Sequence, residues 1–357
     1  MKAGLTIEEL AAEIMRQKEA KADYVVNTGR LRMEPCGTEL VLRVLDENGD
    51  DRIEPLDISE QAHRQIGTHL SIPAKYYIRM LTEYPELLAT NVNRWFERTA
   101  APRMLRVLDG TLRAFVSNRY LRIDHHEVSC AVLPVVGEMP DIRFVSCEIT
   151  DSRMYIKLVN PHIQEEIAPG ITVQSGLSIS NSEVGLGSVA VQPLIYFSEY
   201  DAGMIIGASS TKRVHSGPIY SVENNFIIPP EQSYLSDGSP FLTQIRETVR
   251  GAVDEPQFEQ TVARIREARE RFFSADHVLD VVQATGREFG VTENEQDGVL
   301  NHLTADNDMS LYALANAVTR HSQSVESYDR ATTLEAIGYN ILSMPSAQWN
   351  RINQAAA

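Results

Sequence analysis

Apolar residues keep a helical period near the start of the chain, alternate or run together in the middle, and return to a helical period toward the end. Leu5, Ile7, Leu10, Ala11 and Ile14 share one side of a helix over residues 5–20. "LRMEP" and "ELVLRVLDENGDDRIEPL" within 28–55 read as extended, with Asn48-Gly49-Asp50 as a turn. Ser59 caps a helix over "EQAHRQIGTHL", Pro73 opens one over "PAKYYIRMLTEY", and Pro85 opens one over "PELLATNVNRWFERT". Strand patterns follow: a hairpin over 104–117, a short strand leading into a helix in "NRYLRIDHHEVSCAVLPVV", a hairpin turning near Asp151-Ser152, and strand runs at 189–197 and 203–208. Prolines at 218, 229, 230 and 240 mark a connector over 216–240, and beyond it the pattern is helical. The expected class is α+β with segregated elements: a helical N-terminal part, a central antiparallel β-rich region with hairpins, and a helical C-terminal part. The expected organisation is a core with hairpins over 1–215, the connector over 216–240, and a helical region over 241–357.

The hairpin "MLRVLDGTLRAFVSNRYLRID" (104–124) poses a question of charge. Asp109-Gly110 between two alternating runs is a strong signal for a two-residue hairpin loop. A regular ladder then pairs Val107 with Leu112, Arg106 with Arg113 and Leu105 with Ala114. It places Leu105, Val107, Leu112, Ala114 and Val116 on a core face and Met104, Arg106, Leu108, Thr111, Arg113 and Phe115 on the other. Arginines directly opposite each other repel, so something negative must lie over them.

The 357 residues are 43% apolar with a formal charge of −16, enough for one large or two ordinary domains. No apolar run approaches the roughly 20 residues that cross a bilayer, and the first residues lack the apolar block of a secretory signal. Cys36, Cys130 and Cys147 are scattered and odd in number, which favours neither a zinc knuckle nor a disulfide framework. A reducing bacterial cytoplasm is the expected location. The charge is uneven: residues 94–122 hold seven arginines against two carboxylates, whereas 231–357 hold ten arginines, no lysine and nineteen carboxylates. A local basic strip on an acidic chain is more informative than the total.

Residues 58–81 have the rhythm of a helix-turn-helix that would aim Lys75, Tyr76, Tyr77 and Arg79 at DNA; a packed corner of two helices is the plainer reading. Asp124, His125 and His126, with His162 and His215 elsewhere, lack metal-ligand spacing, so no metal is expected. "NSEVGLG" (181–187) lacks the lysine of a phosphate loop and reads as a tight turn, with Asn181, Ser182 and Glu183 as a polar cluster. No nucleophile signature appears, no catalytic residue is assigned, and no cofactor is expected. The arginine strip has two readings. It is a solvated face with acidic neighbours from another strand or from the C-terminal helices, or it is a track for phosphates flanked by rings for unstacked bases. The second assigns Arg94, Arg98, Arg103, Arg106, Arg113, Phe115, Arg119, Tyr120 and Arg122 to single-stranded nucleic acid, with Met104, Trp95 and Phe96 extending the platform.

"QIGTHLSIPAKYYIRML", "PELLATNVNRWF" and "RMLRVLDGTLRAFVSNRYLRIDHHEV", with "GLSISNSEVGLGSVAVQPLIYF" and "SLYALANAVTRHSQSVESYDRATTLEAIGYNIL", resemble the domain-of-unknown-function 932 family, often described as phage/plasmid-like proteins. The resemblance spans roughly residues 55–342 and departs at "YDAGMII" (200–206), where such proteins often carry a cysteine-containing element. It implies a setting of mobile DNA. By fold-level analogy, the hairpin, basic face and following helix are compatible with the β-β-β-α core of ring-forming single-strand annealing recombinases. The leading functional expectation is therefore a protein that binds single-stranded DNA, with annealing as one form of that activity. The alternatives are an acidic interaction module acting on a host factor in anti-defence or replication, and a metal-dependent enzyme on nucleic acid. Strands without an evident closing repeat leave edges to cover, so a homo-oligomer, with a ring as one form, is expected. No membrane partner is expected.

Overall fold

The first helix begins where the chain can satisfy its own end. Thr6 N–H donates to Glu9 Oε2 at 2.8 Å and Glu9 N–H to Thr6 Oγ1 at 3.2 Å, a reciprocal cap that starts α1 (Ile7–Ala20). The structure, a computed structural model, describes residues 1–187, 189–207, 211–213, 227–228, 240–251 and 255–356. Strands β1 (Lys21–Asn27), β2 (Leu31–Cys36), β3 (Glu39–Val44), β4 (Leu56–Ile58), β5 (Pro102–Leu108) and β6 (Thr111–Ser117) form the first sheet, joined by the distant β13 (Ile227–Ile228). Its order is β13-β1-β5-β6-β4-β3-β2. The β4–β6 pairing is parallel. Helices α2 (Glu60–His69), α3 (Ala74–Glu83) and α4 (Pro85–Arg98) cover one face, burying Ile66, Tyr77, Met80, Leu88 and Phe96 against Met33, Leu42, Leu105 and Phe115.

After α5 (His125–Gly137) comes a second sheet of β7 (Arg143–Ile149), β8 (Met154–Ala168), β9 (Ile171–Asn181), β10 (Val189–Phe197), β11 (Ala202–Ile205) and β12 (Thr211–Arg213). Residues 118–124, expected as a short strand, contain no strand. Helix α5 packs on the second sheet, through Val128, Val132 and Val135 against Ile156, Leu158 and Ile179, and not on the hairpin that precedes it. Helices α1 and α6 (Pro240–Gly251) join that layer. The opposite face carries α7 (Glu255–Arg269), α8 (Val278–Phe289), α9 (Glu293–Asp306), α10 (Leu311–His321), α11 (Tyr328–Leu342) and α12 (Ser346–Ala356). These C-terminal helices share one core with Val173, Ile195, Phe197 and Met204 of the sheet. Most of the connector over 216–240 lies outside the described residues, as does His215.

The hairpin corrects the expected register. Asp109 and Gly110 do form the turn, with φ of +50° and +77°. But Val107 pairs with Leu112 while Arg106 pairs with Ala114, because a bulge inserts Arg113. Beyond a one-residue bulge every side chain changes face. Leu105 therefore faces Phe115, which joins the helix-covered core, while Ala114 and Val116 turn to the other face with Met104. The two arginines are not opposed in the ladder at all.

Two sheet edges take contacts from other parts of the same chain. On β2, the Asn93 amide of α4 accepts from Met33 N–H at 2.8 Å and donates to Met33 C=O at 2.9 Å. On β7, Leu5 N–H donates to Cys147 C=O at 2.7 Å and Ser146 Oγ donates to Lys2 C=O at 2.8 Å. This is the ordinary protection of an edge from pairing with another chain.

Candidate functional site

The face of the first sheet turned away from α2–α4 carries charge. From β1 come Lys21 and Asp23, from β5 Arg106, from β6 Arg113, and from the segment before α5 Arg122 and Asp124. Glu183 reaches into the cluster from "NSEVGLG" after β9, and the neighbouring Val184 packs with Val25, Met104 and Val116. Arg106, 1% exposed, donates from Nε and Nη2 to the Asp23 carboxylate (3.0 and 3.3 Å), from Nη2 to Asp124 Oδ1 (2.6 Å) and from Nη1 to Glu183 C=O (3.0 Å). Arg122 Nη1 donates to Asp23 Oδ2 at 3.1 Å. Glu183, 1% exposed, accepts from Lys21, from Arg113 Nη2 at 2.6 Å and from His125 N–H at 2.6 Å. The segment read as a tight turn is thus the bolt between the two sheets.

Opposing forces set the charge states. Burial alone would raise the Asp124 and Glu183 carboxyls; Arg106 beside the first, and the His125 ring, Lys21, Arg106 and Arg113 around the second, hold both below the usual range. Burial pushes His125 down to about 4, so its ring is neutral near pH 7. Burial, with help from the Asp124 charge, pushes Glu127 up to about 7. Lys18, Lys21, Asp23, Arg122, Asp124, His126 and Glu127 line a crevice of about 40 Å³ at the rim, which is room for ordered water rather than a nucleotide.

The expected basic strip is corrected by this arrangement. Arg106 and Arg122 are buried and Arg113 is nearly so, each held by an internal carboxylate. A passing phosphate could reach them only by displacing Asp23, Asp124 or Glu183, and a buried carboxylate left without its partner is strongly destabilising. Phe115 stacks on Phe96 with centroids 5.9 Å apart, and the Tyr120 hydroxyl donates to Ser182 C=O at 3.2 Å; both rings are buried and closed to bases. Met104 and Phe96 are fully buried too. Arg103 is half-buried, bonded to His69 Nδ1 at 2.5 Å. Only Arg94, Arg98 and Arg119 of the set are exposed.

Arg94 and Arg98 share α4 with the exposed Trp95, over which the Arg98 guanidinium sits 5.6 Å from the ring centroid. With Glu97 they line an open groove of about 510 Å³. Leu87, Asn91, Arg94, Trp95 and Arg98 recur at the spacing of one helix face, opposite the buried Leu88, Val92 and Phe96. The preceding α3 exposes Lys75, Tyr76, Ile78 and Arg79, and Tyr84 at the α3–α4 corner is 60% exposed. Tyr77 instead points inward, its hydroxyl 2.9 Å from His63 Nδ1, so α2 and α3 form a packed corner. Among the described residues, Lys75, Arg94 and Arg98 have no carboxylate partner, whereas Arg79 is held by Glu83 at 3.0 Å.

A second buried pair was not read from the sequence. Lys157 of β8 donates to Glu335 of α11 at 2.6 Å with both side chains 0% exposed, and to Thr332 Oγ1 at 2.9 Å. Tyr155 and Tyr328 flank it, bonded to Asp329 and Ser146 respectively. Among the described residues no group of three or more histidines, cysteines and carboxylates is placed to hold a metal ion, and no helix is long and apolar enough to cross a membrane. No family model matches the chain, and comparison with curated proteins and with solved structures likewise gives no match.

Acid should loosen this fold. His63 and His125 are both pushed down by burial to about 4 from an ordinary 6.5, so their contribution is present above about 6.5 and lost as pH falls through about 4. Glu127, raised to about 7 from 4.5, contributes in the opposite sense: fully below 4.5 and lost as pH rises through about 7. The thermal midpoint is expected to fall from pH 6.5 to 4, and more steeply in Glu127→Gln, which keeps an acceptor for the Asp124 N–H now 3.0 Å from Glu127 Oε2. A midpoint flat across that window would contradict the assigned neutral imidazoles.

Proposed function

We propose that the protein binds single-stranded nucleic acid, in the mobile-DNA setting implied by the family resemblance, and that its contact surface is the outer face of α3 and α4. The observation that carries this is the exposed Trp95 flanked by the guanidiniums of Arg94 and Arg98, neither of which is paired with a carboxylate among the described residues. Exposed aromatic rings beside free cations suit stacked bases and a phosphate backbone, without sequence readout. Tyr76 and Tyr84 extend the same helical pair, and Lys75 adds charge. Lys75, Arg94 and Arg98, none of them paired with a carboxylate among the described residues, also give a chain of net charge −16 a local point of approach to a polyanion.

The chain has two tryptophans, and Trp349 is buried at 4% exposure, so quenching by an oligonucleotide reports Trp95. Titration with a single-stranded oligonucleotide is expected to quench the intrinsic emission, and Trp95→Ala to weaken binding by about 1–3 kcal/mol at unchanged stability. Unquenched emission at saturating oligonucleotide would remove Trp95 from the contact. The second reading, a docking surface for a host protein, draws on the exposed Ile78 and Leu87 of the same face. It expects no salt-dependent oligonucleotide binding.

A further inference from the structure

His69 ends α2, and Arg103 stands near the start of β5, opposite Ser117 in the hairpin ladder. Arg103 Nη2 lies 2.5 Å from His69 Nδ1. A guanidinium only donates, so Nδ1 accepts and the neutral ring carries its proton on Nε2. Two N–H donors are left over: His69 Nε2 and Arg103 Nε are both buried, and neither has a hydrogen-bond partner among the described residues. Phe115 backs the pair, its ring centroid 5.6 Å from that of His69 and 5.9 Å from the Arg103 guanidinium. No carboxylate offsets the charge. Burial alone lowers Arg103, and burial with the Arg103 charge pushes His69 down to about 4. Arg106, Arg113 and Arg122 differ in this respect, since each holds an internal carboxylate. Both Arg103 and His69 remain partly open to solvent. Arg119, exposed and without a carboxylate partner among the described residues, follows Ser117 by two positions.

We propose that Arg103, with His69 beside it, binds a phosphate group, and that this group is the terminal phosphate of a single strand; the second half rests on the nucleic-acid reading. Unpaired buried donors beside an uncompensated cation call for an acceptor that carries negative charge. A phosphate offers two oxygens to the fork of Arg103 Nε and Nη2, of which the single His69 nitrogen takes one prong, and its charge offsets the guanidinium. The two unpaired donor atoms are themselves buried, so the site is a recess and not a track. A terminal phosphate enters a recess end-on, whereas a phosphate within the strand carries a sugar on each side. Arg94 and Arg98, exposed on α4, then serve internal phosphates, and Arg103 the strand end.

The test uses the full chain in two arms. In the first, inorganic phosphate is titrated against chloride at equal ionic strength, and the His69 imidazole is followed by NMR, its resonance assigned by its loss in His69→Gln. A saturable shift of that resonance is expected with phosphate, and none in Arg103→Gln. In the second, a single-stranded oligonucleotide with a terminal phosphate should bind about tenfold more tightly than the same strand ending in hydroxyls, and Arg103→Gln should erase the difference. A His69 resonance indifferent to phosphate would overturn the proposal. A His69 response with equal affinity for the two strands would leave the site to free phosphate and overturn its assignment to a strand end. If neither strand binds, the nucleic-acid reading and the strand-end assignment fail together, while the His69 response still decides the phosphate site. Where Arg103→Gln does not fold, the two comparisons in the parent protein decide alone.

Discussion

Arg106→Ala is expected to destabilise the protein by about 3–5 kcal/mol, read as a lower urea midpoint at an unchanged slope. The substitution removes four hydrogen bonds and leaves Asp23 and Asp124 facing each other's charge. Arg122 stays on one oxygen of Asp23 and cannot replace the two-pronged contact that Arg106 makes. Burial decides the size of the effect. Arg64, paired with Glu60 one turn away on the exposed side of α2, is the contrast, and Arg64→Ala should cost no more than about 1 kcal/mol. Similar losses at Arg64 and Arg106 would mean that the inter-sheet cluster is not the fastening described.

Lys157→Met should cost a comparable amount, about 3–5 kcal/mol, because it leaves the Glu335 carboxylate buried and unpaired. Burial already disfavours the charged form of both partners, lowering Lys157 and raising Glu335. The double variant Lys157→Met, Glu335→Leu should then recover most of the stability, since an apolar pair of similar volume needs no compensating charge. A double variant as unstable as the single would show that the hydrogen bond to Thr332 and the contact with the Tyr328 ring, 4.6 Å away, matter more than the charge pair.

Local chemistry was legible in the sequence, and partners distant along the chain were not. Ser59 and Pro85 start helices where their side chains or fixed φ allow, and Asp109-Gly110 makes its turn, because each depends on a few neighbouring residues. The bulge at Arg113 was hidden, although "TLRAFV" hints at it: Leu112 and Phe115 are both large and apolar but three apart, which strict alternation cannot place on one face. The meaning of the arginines was hidden more deeply. Arg106 depends on Asp23, 83 positions earlier, and Arg113 on Glu183, 70 positions later. No local pattern marks such pairs, beyond one carboxylate standing in a stretch of serine, glycine and apolar residues. The C-terminal helices were readable as amphipathic, but not that their apolar sides complete the core of the second sheet.

The buried arginines fasten the fold, and Arg94, Trp95 and Arg98 are the proposed contacts for single-stranded nucleic acid. This assignment is tested most directly by fluorescence-anisotropy titration of a labelled single-stranded oligonucleotide at several salt concentrations, with the parent protein and with Arg94→Ala and Arg98→Ala. Salt is expected to weaken binding, and the slope of log affinity against log salt to become shallower by about 0.7 with each arginine removed. Absence of binding by the parent at low salt, or a slope unchanged in both variants, would contradict the assignment.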